Sequence, residues 1–140
     1  MSELPGIQRD SVVDAFGIAV EAVSIGSARV SMTVTTAMLN LHGTCHGGVI
    51  FTLADSALGY SSNAEGPLAV ATGGDINFLR PARLGDRLVA EARQRHRTRR
   101  TALFDIEVRN VATTHLVAIF TGRIGYPQIA EEAPRPKPPE

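Results

Sequence analysis

The chain lacks the features that mark several large classes of protein. It has a single cysteine, Cys45, so it cannot form an intrachain disulfide and gives no sign of an oxidising compartment. Neither sign of charge is in excess, with 14 basic and 14 acidic residues. Its basic stretches carry no interleaved aromatic residues, which together with the neutral net charge argues against nucleic-acid binding. The 140 residues are 44% hydrophobic and 20% charged, as expected of one globular domain.

Long apolar runs are also missing. The first fourteen residues include Glu3, Arg9, Asp10 and Asp14 and contain no apolar core stretch, so they do not form a signal peptide. No uninterrupted apolar run is long enough to cross a bilayer. We therefore expect a cytoplasmic protein that has no membrane partner.

The spacing of the apolar residues predicts an α+β fold in one domain, residues 1–126, followed by a proline-rich tail, residues 127–140, that we expect to be disordered. A short helix capped by Asp10 or Ser11 should end at Gly17. Period-two alternation and helical spacing predict the remaining elements. These are two strands within Ile18–Thr35, a helix over Gly47–Ala64, a strand starting near Leu68, and strands at Arg87–Arg97, Thr101–Arg109 and Leu116–Ile124.

The long predicted helix carries one narrow polar seam in an otherwise apolar surface. At helical spacing the seam consists of Thr52, Asp55, Ser56, Gly59 and Asn63. A carboxylate on a helix that we expect to be buried nearly all round is costly unless it is paired, hydrogen-bonded or protonated. Asp55 is therefore either a general base or nucleophile, or an aspartate that bonds Ser56 or Thr52 in a subunit contact. The residues alone leave these two interpretations open.

The start of this helix is a candidate site for a developing negative charge. The first N–H groups of a helix have no intrahelical partner, and the helix dipole favours an anion there. In His46-Gly47-Gly48 the two glycines let a ligand approach the backbone, although flexibility of the loop explains them equally well. Gly47 and Asp55 are separated by roughly 12 Å along the helix axis, from a rise of about 1.5 Å per residue. If both act on one carbonyl, they must come from two copies in an antiparallel dimer.

The same residues resemble the signature of hotdog-fold thioesterases, and most of all the PaaI type associated with phenylacetyl-CoA and related aromatic acyl-CoAs. The resemblance is carried by Asn40-Leu41-His42-Gly43-Thr44-Cys45-His46-Gly47-Gly48, Phe51, Leu53-Ala54-Asp55-Ser56-Ala57, Phe16-Gly17-Ile18, Met32-Thr33-Val34-Thr35, Asn77-Phe78-Leu79-Arg80-Pro81, Gly85-Asp86 and Arg99-Arg100-Thr101. It implies a long helix wrapped by an antiparallel sheet, a homodimer that completes the site, and often a dimer of dimers, a homotetramer.

The resemblance also implies roles for single residues. Asp55 matches the catalytic acid, Gly47 the oxyanion donor, and His46 the residue that supports this corner. Asn40 matches an asparagine that shapes the site, and Thr72 falls where related enzymes position water with a hydroxyl. The implied reaction converts an acyl-CoA, of the phenylacetyl type or with a short or medium chain, to free acid and CoA. It needs neither a cofactor nor a metal, and it would belong to phenylacetic acid degradation.

Several arginines are candidates for binding the phosphates of CoA, since the planar guanidinium suits phosphate. A solvated charged surface would explain the same residues. The substrate-binding candidates on the sequence are Asn40, Gly48, Thr72, Arg80, Arg97, Arg99 and Arg100, with Arg93 and Arg95 in the same basic run.

Four rival interpretations follow from the same residues. His42, Cys45 and His46 lack the second ligand pair of a zinc site. Cys45 beside His46 lacks an orienting third group, so Cys45 is expected to be a small packing residue rather than a nucleophile. A hydratase of the same fold would use His46 with Asp55, and a non-catalytic acyl-CoA-binding module would bind without turnover. The intact Asp55 and the Gly47-Gly48 helix start favour the thioesterase.

Overall fold

The computed structural model describes residues 10–127, and the N-terminal segment and most of the predicted tail lie outside the described residues. Within residues 10–127, two α-helices and six strands follow one another in the predicted order, which confirms the α+β class. In chain order they are α1 Ser11–Ala15, β1 Ala19–Ser24, β2 Ser27–Thr33, α2 Gly47–Asn63, β3 Val70–Phe78, β4 Arg87–Arg97, β5 Thr101–Asn110 and β6 Leu116–Gly125, with a 3-10 turn at Thr36–Met38 before α2.

The strands form a single antiparallel sheet in the order β1-β2-β4-β5-β6-β3. The β1–β2 hairpin closes on Ile25 and Gly26, where Gly26 has a φ of 77° that glycine adopts without strain. After α2 the chain returns to the far edge of the sheet as β3, so β3 pairs only with β6 among the described strands. One long strand edge is therefore open beside the helix.

The inner face of the sheet is built from alternating apolar residues, as the sequence predicts. Phe104, Ile106 and Val108 on β5 are each at most 1% exposed. Ser31 departs from the predicted alternation, because it belongs to the polar face of β2 and is nonetheless fully buried. Its hydroxyl donates to Glu21 at 2.6 Å and accepts from Arg87 at 2.7 Å. These two longer side chains cover it, which a period-two pattern cannot reveal.

Helix α2 packs one face on the sheet and leaves the other face open. Leu53 and Leu58 are fully buried against the strands, and Phe51 meets Phe120 edge to face with ring centroids 5.0 Å apart. The predicted burial nearly all round is wrong for a single protomer, because Asp55 and Asn63 are exposed. The helix ends at Asn63, whose side chain bonds the Gly59 carbonyl and both backbone polar groups of Ala69. The polar seam therefore faces outward, towards whatever covers it.

Candidate active site

Asp55 lies halfway along α2 on the open face of the helix, at the edge of a cavity of about 720 Å³. The predicted seam is this cavity's helical wall, and α1, β3 and β6 supply the rest. The polar side chains that line it include those of Asp10, Thr52, Asp55, Ser56, Tyr60 and Asn63. Although Asp55 is exposed in one protomer, the protein around it partly desolvates its carboxyl and raises the pKa, and the Asp10 carboxylate raises it further. A raised pKa of a carboxyl beside a cavity is typical of catalytic carboxylates and is also found in structural ones.

The start of α2 presents an unused hydrogen-bond donor. His46 is the N-cap, and its Nδ1 accepts from the Gly48 N–H at 3.0 Å. The neighbouring Gly47 N–H has no acceptor within residues 10–127. Because it stands at the positive end of a 17-residue helix, this N–H suits a partially negative oxygen. The His46 side chain therefore satisfies the N–H of Gly48 and leaves the N–H of Gly47 available to a ligand.

Asn40 organises the loop that leads to this corner. Its Oδ1 accepts from the backbone N–H of His42 at 2.9 Å and of Thr44 at 3.1 Å, and its Nδ2 donates to the Thr44 hydroxyl. Asn40 and Gly47 line a second cavity of about 460 Å³, together with Phe78 and Arg80. The Asn40 side chain therefore holds the loop, and the residue borders the same cavity as Gly47.

One protomer does not bring Asp55 and Gly47 together. They line different cavities, and within the described part of the chain these two cavities share no lining residue. The helical rise already predicts a separation of roughly 12 Å along the axis. Within residues 10–127 of one protomer, the Asp55 carboxyl and the Gly47 N–H therefore do not face the same cavity.

Thr72 is the extra residue of a bulge in β3. Ala71 pairs with Ile124 and Gly73 with Arg123, so Thr72 has no partner opposite it. Bulges re-aim a side chain and are frequent beside active sites. The Thr72 hydroxyl makes only a long bond, 3.4 Å, to the Arg123 carbonyl. It lies one residue from the Asp55 cavity, which Val70 and Ala71 line.

The candidate arginines have different surroundings. Arg80 lines the Gly47 cavity, while Arg99 and Arg100 are exposed in the turn between β4 and β5. Arg97 is engaged elsewhere: its Nε lies 3.2 Å from a Glu65 carboxylate oxygen, and its guanidinium lies 3.7 Å above the Tyr126 ring. These contacts give Arg97 a structural role at the end of α2, which the basic run in the sequence does not distinguish from phosphate binding.

Truncation of Arg97 should lower stability more than substrate binding. Arg97→Ala is expected to reduce the free energy of unfolding by about 1 kcal/mol, from a part-exposed cation–π contact and a surface ion pair. Urea unfolding measures this change, and Glu65→Gln, which removes the ion pair alone, should show a smaller one. A large increase in KM for acyl-CoA in Arg97→Ala, with unchanged stability, would instead return Arg97 to the phosphate-binding residues.

Cys45 behaves as a packing residue. It is 5% exposed, and burial raises the pKa of its thiol to about 11. The thiolate, which is the nucleophilic form, is therefore scarce at neutral pH. Its backbone N–H donates to the Ala82 carbonyl at 2.8 Å, so Cys45 helps to hold the loop before α2.

The sequence did not indicate three residues of these cavities. The sequence indicates Asp10 only as a helix cap, Phe78 only as part of a motif, and Tyr60 only as an apolar residue of the long helix. Asp10 and Tyr60 line the Asp55 cavity, and Phe78 lies against Gly47, where a Cβ on the glycine would meet its Cζ at 2.9 Å. Only the packing of α1 and β3 against α2 reveals these neighbours.

None of the helices described over residues 10–127 is long and apolar enough to cross a membrane.

Comparison with known proteins agrees with this geometry. The model of the thioesterase superfamily matches residues 42–115, which include most of the loop before α2, all of α2 and the three strands β3, β4 and β5. The acyl-coenzyme A thioesterase PaaI of Escherichia coli is 44% identical over 116 residues, covering 83% of this chain and 82% of that protein.

Solved structures show the same relationship. The structure of E. coli PaaI, from the phenylacetic acid degradation operon, matches with a TM-score of 0.81 at 44% identity and covers 84% of each chain. A Streptococcus mutans protein solved with bound acetyl-CoA matches with a TM-score of 0.77 at 31% identity, over 89% of this chain and 95% of that one. The sheet, the central helix and the matched sequence establish that the chain belongs to the thioesterase superfamily, has the hotdog fold and is a thioester hydrolase.

Proposed function

We propose that the protein hydrolyses acyl-CoA thioesters at a site shared by two copies of the chain. Asp55 of one copy acts as general base or nucleophile, and the Gly47 N–H of the other binds the thioester oxygen. One observation carries the proposal: the free Gly47 N–H and the Asp55 carboxylate border different cavities, although one helix bears both. An antiparallel copy of α2 supplies the group that each cavity lacks.

The reaction follows from these two groups. The thioester carbonyl oxygen accepts a hydrogen bond from the Gly47 N–H, which strengthens as negative charge develops on the oxygen. Asp55 takes a proton from water while the oxygen of that water bonds to the carbonyl carbon. The carbon–sulfur bond then breaks, and the CoA thiolate leaves and is protonated. Direct attack by the Asp55 carboxylate, through an anhydride that water opens, gives the same products.

The open strand β3 supports the antiparallel pairing. Its Val70 end borders the Asp55 cavity, and its Phe78 end borders the Gly47 cavity. It is an edge strand, and eight of its nine residues are exposed. Two β3 strands paired antiparallel about a two-fold axis would place the Val70 end of each opposite the Phe78 end of its partner. Each Asp55 cavity would then adjoin the partner's Gly47, and the exposed edge would be covered.

The cavities suit the two halves of the substrate. About 720 Å³ beside Asp55 is within the usual range for a small-molecule site and can hold an aromatic acyl group. Because E. coli PaaI comes from the phenylacetic acid degradation operon, we propose a phenylacetyl-type group as the first candidate substrate, followed by short and medium acyl chains. Arg80 beside Gly47, and Arg99 and Arg100, are candidates for the CoA phosphates. A cytoplasmic dimer of dimers is the assembly that we propose.

The test is CoA release from a panel of acyl-CoAs containing phenylacetyl-CoA, a hydroxylated analogue, and butyryl-, hexanoyl- and decanoyl-CoA. We expect turnover of at least one, and turnover per chain that falls when dilution separates the dimer. Binding of an acyl-CoA without release of CoA would favour a binding module. Addition of water to an enoyl-CoA, with the thioester intact, would favour a hydratase. Full turnover by a separated monomer would contradict the shared site.

A further inference from the structure

Within residues 10–127, the walls of the Asp55 cavity carry carboxylates and no cationic side chain. The ionisable side chains that line it within residues 10–127 are Asp10, Asp55 and Tyr60. Its other polar lining groups are the neutral side chains of Ser11, Thr52, Ser56, Ser62 and Asn63. The basic candidate Arg80 lies instead in the Gly47 cavity, on the side proposed for CoA. An acyl group that enters this cavity therefore meets negative or neutral groups.

The cap of α1 holds Asp10 in place. Its Oδ1 accepts from the backbone N–H of Val12 at 2.9 Å and of Val13 at 3.2 Å. These bonds fix the position of the Asp10 carboxylate at the start of α1. Asp10 lines one cavity with Asp55 and Tyr60, and after burial its charge is the next cause that raises the pKa of both groups. Since Asp10 lies on a different element from the proposed catalytic group, its charge can be changed separately.

We propose that Asp10 is a specificity-determining residue, whose fixed carboxylate makes the cavity reject acyl groups that end in a carboxylate and accept neutral ones of the same length. This inference rests on the proposed thioesterase function. A terminal carboxylate would be drawn out of water against the walls that residues 10–127 give this cavity, which carry two carboxylates and no cation, while Arg80 lies on the CoA side in the Gly47 cavity. A neutral chain or ring pays no such cost. The preferred substrates are thus acyl-CoAs with an uncharged acyl group, and half-thioesters of dicarboxylic acids are excluded.

The test compares kcat/KM for matched pairs that differ in terminal charge: butyryl- with succinyl-CoA, valeryl- with glutaryl-CoA, and hexanoyl- with adipyl-CoA. For the wild-type protein we expect the neutral member of each pair to be favoured by at least about tenfold. Asp10→Asn and Asp10→Ser both retain a good N-cap while removing the charge. In both variants the preference should fall by about tenfold, through a rise in kcat/KM for the carboxylated member.

Asp105→Asn is the matched control, because it removes the same charge from β5, at a residue that lines neither active-site cavity. It should keep the wild-type preference. Urea unfolding of both Asp10 variants checks that the cap is retained. The inference is overturned if wild type hydrolyses both members equally, or if the preference survives in Asp10→Asn and Asp10→Ser. Failure of the proposed function would look different, because wild type would then release CoA from neither member.

Discussion

Asp55→Asn is expected to lower kcat for acyl-CoA hydrolysis by about 10²- to 10⁴-fold, the range for loss of a general base. The amide fills the same volume and can still accept a hydrogen bond, but it cannot take a proton from water or form an anhydride. CoA release under saturating substrate measures the loss. Asp105→Asn is the matched control, because Asp105 lies on β5 with its ion pair to Arg95 and lines neither active-site cavity. Turnover within a few-fold of wild type in Asp55→Asn would remove this carboxylate from the mechanism.

The same variant should be more stable than wild type at neutral pH. Burial, and then the Asp10 carboxylate, raise the pKa of Asp55, so the folded protein disfavours the ionised form. The stability linked to this group is present below the ordinary aspartate pKa and is lost as pH rises through the raised folded value. The Asp55→Asn variant has no titrating group at this position, so its stability does not fall in this way as pH rises. Thermal unfolding should therefore give a higher Tm for the variant near pH 7.5, and the difference should vanish below about pH 4. A lower Tm at pH 7.5 would indicate a structural role for the carboxylate.

Gly47→Pro is expected to lower kcat by about 10²- to 10³-fold, the usual effect of removing one oxyanion donor. Proline deletes the N–H of the first helical position, where proline is well tolerated. The preceding His46 has φ −59° and ψ 135°, within the extended region that proline requires of its neighbour. Helix α2 should therefore form, and circular dichroism with thermal unfolding checks this. CoA release measures the loss.

The Gly47→Ala variant separates the effect of losing the N–H donor from the effect of the added side-chain bulk. Its Cβ would approach the Phe78 ring to 2.9 Å, as the proline ring does, but it keeps the N–H. Phe78 is 52% exposed and can turn aside, so we expect the alanine variant to be much more active than the proline variant. Equal activity of the two variants would show that the Gly47 N–H does not hold the oxyanion.

The elements with the strongest local periodicity could be predicted from the sequence. The predicted helix over residues 47–64 ends one residue later than the observed α2, and β4 has the predicted bounds Arg87–Arg97. In these segments burial on one face sets the spacing of apolar residues directly. The separation of Gly47 from Asp55 was equally predictable, since one helix carries both and its rise is fixed.

Features that depend on contacts between distant segments could not be predicted. Asp10 lies 45 positions before Asp55 and reaches its cavity only because α1 packs beside α2. The bulge at Thr72 is set by its pairing with β6, and the partners of Arg97 lie just after α2 and just after β6. The exposure of one face of α2 could not be predicted either. An apolar helix with a polar seam is compatible with burial by its own chain or by a second one.

Complementation between two inactive variants tests the shared site most directly. Asp55→Asn and Gly47→Pro are co-expressed with different tags, and the mixed dimer is purified on both tags in turn. One of its two sites then pairs an intact Asp55 with an intact Gly47, so roughly half of the wild-type turnover per dimer should return. Doubly tagged dimers of either variant alone should stay inactive. A mixed dimer as inactive as its parents would contradict the shared site, because it would show that each catalytic centre takes Asp55 and Gly47 from the same chain.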